Sequence, residues 1–239
     1  MVGMIVRVGM FALFLTLAVA RIDKCRDKLM DCYHWVASNP ERCETGDNST
    51  GLTIEDCEKA CQKCGPPVPE EYDLKKVPPN LHKVAFLVGK WRSEFGGKAD
   101  FPTIPRFTYG EELDIKLAKG LAHPVLNYTA FAWDNSDLVE LHSENGFISG
   151  AQNSSLVSLN TVMNNGFVTI EEGESVQNSI RFALRRIGRI NFSRDLPVNF
   201  MLRDWILLNE TFLESRLIMG TKTHKPMLHT HILYKKIYP

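Results

Sequence analysis

Between residue 81 and Pro239, apolar and polar residues alternate in short runs, and most of these runs predict strands. Residues 127–133, 167–170 and 212–219 are rich in β-branched and aromatic side chains. Glu172-Gly173, Asn164-Asn165-Gly166 and Gly96-Gly97 predict turns, and only residues 80–87 read as a short helix. Many short strands without alternating helices predict an antiparallel β-barrel or sandwich. About 160 residues suffice for roughly ten strands, a barrel wider than the eight-stranded kind that holds one small ligand.

The final run, residues 226–236, predicts the last strand. On a period of two, Met227, His229, His231 and Leu233 share one face, and Leu228, Thr230, Ile232 and Tyr234 share the other. Both faces are largely apolar, so both are expected to be covered. A buried neutral imidazole can bond a carbonyl through one nitrogen and offer the other to a metal. A pair of hydrogen-bonded core histidines satisfies the same pattern.

The amino end follows other rules. Arg7 precedes an apolar run over residues 8–17, and Ala18-Val19-Ala20 closes it. This is the pattern of a secretory signal peptide over residues 1–20, cleaved after Ala20, and it is too short to span a bilayer comfortably. It predicts a secreted, extracellular protein beginning at Arg21, in a compartment where cysteines pair. All six cysteines, Cys25, Cys32, Cys43, Cys57, Cys61 and Cys64, then fall within forty residues. So short a segment buries too little surface to fold on a core alone, and three disulfides replace it; spacing permits 15 pairings. Cys61-Gln62-Lys63-Cys64 lacks the βαβ context of a redox motif, and exported cysteines are poor candidates for zinc. The chain thus divides into a disulfide-rich module (21–65), a Pro-rich connector (66–80) and a mainly β domain (81–239).

Lys plus Arg total 28 and Asp plus Glu total 28. A chain so balanced carries no electrostatic footprint for nucleic acid and no polybasic anchor for lipid. No P-loop, G-x-G-x-x-G, H-E-x-x-H or G-x-S-x-G motif is present. Sequons begin at Asn48, Asn153 and Asn209 in loop-like stretches, predicting glycosylation there; those at Asn127 and Asn191 fall in predicted strands and need outward-facing side chains.

Cys25-x-Asp27, Cys32-x-x-Trp35, Cys43 and Cys57-x-x-x-Cys61-x-x-Cys64 resemble the ShKT module, abundant in nematode secreted proteins. The resemblance implies pairing Cys25 with Cys64, Cys32 with Cys57 and Cys43 with Cys61. Toxin members block channels through a Lys-Tyr pair; no tyrosine follows Lys59 here, which leaves an interaction module for an unknown protein partner.

The barrel resembles the nitrobindins, haem-binding ten-stranded barrels related in shape to fatty-acid-binding proteins. The match rests on Phe86-Leu87-Val88-Gly89-Lys90-Trp91-Arg92, Phe101-Pro102-Thr103-Ile104, residues 141–148, Glu171-Glu172-Gly173-Glu174, and His229 followed by Tyr234-Lys235-Lys236. It implies haem b, with His229 as proximal iron ligand, His231 as the alternative on the same face, and Thr103 near the porphyrin. His142 and Glu144 match family positions as bracing residues. Ser93 and Phe95 replace glycines of the family opening, which predicts a narrowed or reshaped pocket. The implied activity is handling of nitric oxide or isomerisation of peroxynitrite to nitrate; a non-catalytic carrier of a fatty acid or other apolar ligand is the alternative.

Overall fold

The computed structural model describes residues 25–101 and 104–239. Thr103 and the predicted signal peptide lie outside the described residues. Ten strands form one closed antiparallel barrel: β1 (Gly89–Phe101), β2 (Ile104–Leu117), β3 (Leu126–Asp134), β4 (Glu140–Gly150), β5 (Leu156–Met163), β6 (Phe167–Val176), β7 (Ser179–Arg189), β8 (Val198–Leu207), β9 (Phe212–Thr221) and β10 (Met227–Tyr238). Each strand pairs with its sequence neighbours, and β10 closes onto β1. Closure removes the exposed edges that an open sheet would present.

Alternation sets the inside and outside of the wall. On β3, Leu126, Tyr128, Ala130 and Ala132 are buried, while Asn127, Thr129 and Phe131 lie on the outer face. Two predicted turns are instead parts of strands. Glu172-Gly173 lies within β6, where Gly173 passes so close to the β7 backbone that a Cβ would fall on the Arg181 carbonyl. Gly96-Gly97 lies within β1 at a large irregularity: six steps from Arg92 to Lys98 face four from Lys235 to His231 on β10. Asn164-Asn165-Gly166 does form the turn between β5 and β6.

One end of the barrel is plugged. The 3-10 helix Pro79–Leu87 lies under it, with Leu81, Val84, Ala85, Phe86 and Leu87 buried. Trp91, Phe182 and Trp205 fill the space above. Phe182 meets Trp205 edge-on at 5.4 Å between ring centroids, and Trp91 donates its indole N–H to the Leu87 carbonyl at 2.8 Å. Each such aromatic contributes roughly 2–3 kcal/mol through burial.

The amino-terminal module carries α1 (Cys32–Ser38) and α2 (Arg42–Thr45), neither legible in a stretch dominated by cysteine spacing. Disulfides join Cys25 to Cys64, Cys32 to Cys57 and Cys43 to Cys61, the pairing of an ShKT module. Buried Asp27 accepts from the amides of Lys59 and Ala60, both at 3.0 Å. Among the described residues no helix is long and apolar enough to cross a membrane.

The module does not hang from a spacer. Tyr33 on α1 donates to the Glu210 carbonyl of the β8–β9 turn at 2.6 Å. Lys236 of β10 lies 4.3 Å from the Tyr33 ring centroid and 5.0 Å from that of Trp91. The Pro-rich stretch, expected as an extended connector, contains 3-10 turns at Glu70–Tyr72 and Leu74–Lys76 and buries Tyr72, Leu74 and Val77. Tyr72 donates to Asp114 of β2 at 2.8 Å. Module, connector and barrel share one apolar core.

Candidate haem site

The end of the barrel opposite the plug opens into a cavity of about 600 Å³, within the range of small-molecule and cofactor sites. Phe107, Met163, Phe167, Ile187, Leu217, Met219 and Met227 give its upper chamber apolar walls.

His229 enters this chamber because β10 is bulged. Leu228 faces Ile218 of β9, but the next paired residue, Thr230, faces Leu217, so two steps on β10 match one on β9. The extra residue resets the alternation. Met227 and His229 line the cavity before the bulge, and Thr230, Ile232 and Tyr234 line it afterwards. The expectation that His229 and His231 share a face is therefore corrected. His231 lies on the outer wall, its side chain 38 % exposed and its Nε2 2.8 Å from Glu214 Oε1, where it cannot serve a group inside the barrel.

His229 Nδ1 lies 3.1 Å from the Asp100 carbonyl oxygen on β1. A carbonyl only accepts, so Nδ1 carries the proton, and in the neutral ring Nε2 carries the lone pair. Burial lowers the His229 pKa; the Asp100 bond opposes that shift only in part. The imidazole is thus neutral, with its tautomer set by the backbone, the arrangement of a metal-ligating histidine.

Beneath the chamber runs a belt of buried polar groups. Arg203 of β8 donates through Nε and Nη2 to the two Glu171 oxygens at 3.1 and 3.3 Å, and through Nη2 to Glu144 Oε1 at 3.3 Å. Tyr128 donates to Glu144 Oε2 at 3.2 Å, His142 Nε2 lies 3.1 Å from Glu144 Oε1, and Tyr234 donates to Glu111 Oε2 at 2.6 Å. Burial drives the carboxyl pKa values upward. At Glu144, Arg203 and His142 outweigh it and bring the value down to about 2. At Glu171 and Glu111 burial prevails and both are raised. Burial also opposes charge on His142, but the bond to Glu144 and its charge prevail, and the His142 pKa is raised. His142 and Glu144 thus brace one another and Arg203.

The sequence did not single out Arg203 and Glu171 as functional positions. The available signal was parity: Arg203 shares its face with Met201, Trp205 and Leu207, and a charged residue on the buried side of a strand requires partners. Ser93 and Phe95 do not narrow the cavity. Ser93 accepts from the Gly96 amide at 3.1 Å, and Phe95 is 67 % exposed; neither lines the chamber. Arg92 pairs with Glu112 and Glu94 and lies 4.9 Å from the centroid of Trp133. Asn48 and Asn153 are exposed and Asn209 is half-buried; Asn127 faces outward on β3, and Asn191 is exposed in the β7–β8 turn rather than in a strand.

Haem fits this chamber on the structure's own terms. No group of three or more His, Cys, Asp or Glu among the described residues could hold a bare metal ion, whereas a porphyrin brings four ligands of its own and needs one neutral imidazole inside an apolar chamber.

Comparison with known proteins points the same way. The family described as "THAP4-like, heme-binding beta-barrel domain" matches residues 80–236. The Caenorhabditis elegans protein C28H8.5 is 52% identical over 228 residues, covering 90% of this chain and 74% of that protein. The rat protein named peroxynitrite isomerase THAP4 is 30% identical over 172 residues, covering 72% of this chain but 30% of the rat protein. Among solved structures, Rv2717c from M. tuberculosis superposes with a TM-score of 0.57 at 23% identity, covering 66% of this chain and 98% of that one, which is a likeness of fold.

Proposed function

Because this chain belongs to the THAP4-like haem-binding β-barrel family, we propose that it is an exported haem b protein that isomerises peroxynitrite to nitrate. The observation that carries the reading is the neutral, backbone-oriented His229 on the β10 bulge, facing an apolar chamber. The rat relative's name supports the activity. The predicted signal peptide and three disulfides support export.

Bound haem supplies the iron chemistry of the rearrangement. The chain supplies the rest. Asp100 holds the His229 ring in one tautomer and orientation. The apolar walls exclude water and keep a reacting pair together. In the belt below the chamber Arg203 pairs with Glu144 and Glu171, so these two carboxylates do not face an incoming anion without a cation.

The belt also weighs against the alternative of a fatty-acid carrier. A carboxylate headgroup seeks a guanidinium, but Arg203 already donates to Glu171 and Glu144. Titration of the purified chain with haem tests the reading. A Soret band is expected in the wild type and in His231→Ala, and is expected to be lost in His229→Ala. Stopped-flow decay of peroxynitrite with nitrate as product then tests the reaction. A folded chain that gives no Soret band refutes the haem assignment, and one that binds haem without accelerating the decay refutes the activity alone.

A further inference from the structure

The rim of the cavity carries exposed apolar side chains, and of Leu138, Val139, Phe192 and Leu196 only Leu196 also lines the cavity. Leu138 and Val139 of the β3–β4 turn are 68 % and 58 % exposed, and Phe192 and Leu196 of the β7–β8 turn are 79 % and 45 % exposed. Leu138 also adopts φ 61, a left-handed conformation that a leucine rarely takes. Exposed apolar side chains on both sides of a mouth offer surface that a partner seated on it would bury.

Its charges are segregated. Residues 134–141 carry Asp134, Asp137 and Glu140 and no base, a net −3. Residues 189–197 carry Arg189, Arg194 and Asp195, and residues 221–227 carry Lys222 and Lys225; four bases less one acid give +3, with His224 neutral. The strand order around the barrel, β1-β10-β9-β8-β7-β6-β5-β4-β3-β2, puts the β3–β4 turn diametrically opposite the midpoint between the β7–β8 and β9–β10 turns. The mouth is therefore acidic on one side, equally basic on the other, and apolar on both.

We propose that this rim binds the rim of a second copy of the chain, mouth to mouth, about a two-fold axis perpendicular both to the barrel axis and to the line from the acidic turn to the basic turns. That rotation sets the acidic turn of each copy on the basic turns of the other, so the same complementary contact is made twice, as an isologous interface requires. An anionic membrane would attract one half of the rim and repel the other. In the pair, each copy covers the other's cavity, so a ligand inside is enclosed by both.

Sedimentation velocity on the full chain tests this through charge exchange. The wild type is expected to sediment as a dimer. Lys222→Glu with Lys225→Glu makes both sides acidic, and Asp137→Lys with Glu140→Lys removes the acidic side; each variant alone is expected to lose the dimer. An equimolar mixture of the two is expected to regain it, because both contacts of the mixed pair are complementary. All four positions are exposed, and circular dichroism checks that the fold is kept. A wild type that stays monomeric, a dimer indifferent to the reversals, or a mixture that stays monomeric overturns the proposal. So does a glycan on Asn191 of the exported chain, since the sugar would occupy the contact.

Discussion

His229 and Asp100 are 129 residues apart in the chain and 3.1 Å apart in the barrel. The contact exists because β10 closes the barrel against β1, so the last strand to be made orients its imidazole on the first. The bond from Nδ1 to the Asp100 carbonyl selects the tautomer, and the bulge beside it selects which of two histidines faces the cavity.

The buried His229 is expected to titrate below the ordinary histidine value of about 6.5. In the haem-free chain the unfolded state then takes up the proton first, so stability declines as pH falls through 6.5 toward the folded-state value. NMR titration of the ring nitrogens measures the midpoint; a value at or above 6.5 contradicts the assigned burial.

Arg203→Met leaves Glu171 and Glu144 buried without their cation. A loss of about 3–5 kcal/mol is expected in urea unfolding. Adding Glu144→Gln and Glu171→Gln should recover a large part of it, because the uncompensated charges go as well. If the triple variant is no more stable than the single one, the belt does not act as a charge-balanced unit.

Glu144 dominates the acid limb of stability in the belt. Its folded pKa of about 2 lies below its unfolded value, so the stabilisation is present above about 4.5 and is lost as pH falls toward 2, a span worth roughly 3 kcal/mol. Glu171 and Glu111, raised in the folded state, act with the opposite sign: their stabilisation is present below about 4.5 and is lost as pH rises through the raised values. Denaturation of Glu144→Gln at a series of pH values should therefore show a flatter acid limb than wild type.

Tyr33→Phe removes the hydroxyl that joins the module to the β8–β9 turn. A loss of about 1–3 kcal/mol is expected, since the Glu210 carbonyl keeps no partner from α1. Thermal melts with the disulfides intact measure it. No change in melting temperature would mean that module and barrel are not energetically coupled through this bond.

Alternation of residue types determined that the domain is built of antiparallel strands, because inward and outward positions recur at a period set by backbone geometry, and chain length set their number near ten. Alternation fits barrel and sandwich alike; the family motifs decided for the barrel. Cysteine clustering determined that a stapled module precedes the barrel, since so short a segment lacks a core. Two imidazoles two residues apart in the last strand marked the place to look. Tertiary structure decided which of them counts: one extra residue in β10 reverses every later side chain, and its position is fixed by the register against β9, which no sequence periodicity records. The belt was hidden for a related reason. Glu144, Glu171 and Arg203 come from three separate strands, and a charge becomes tolerable inside a barrel only where closure brings its partners within hydrogen-bonding distance.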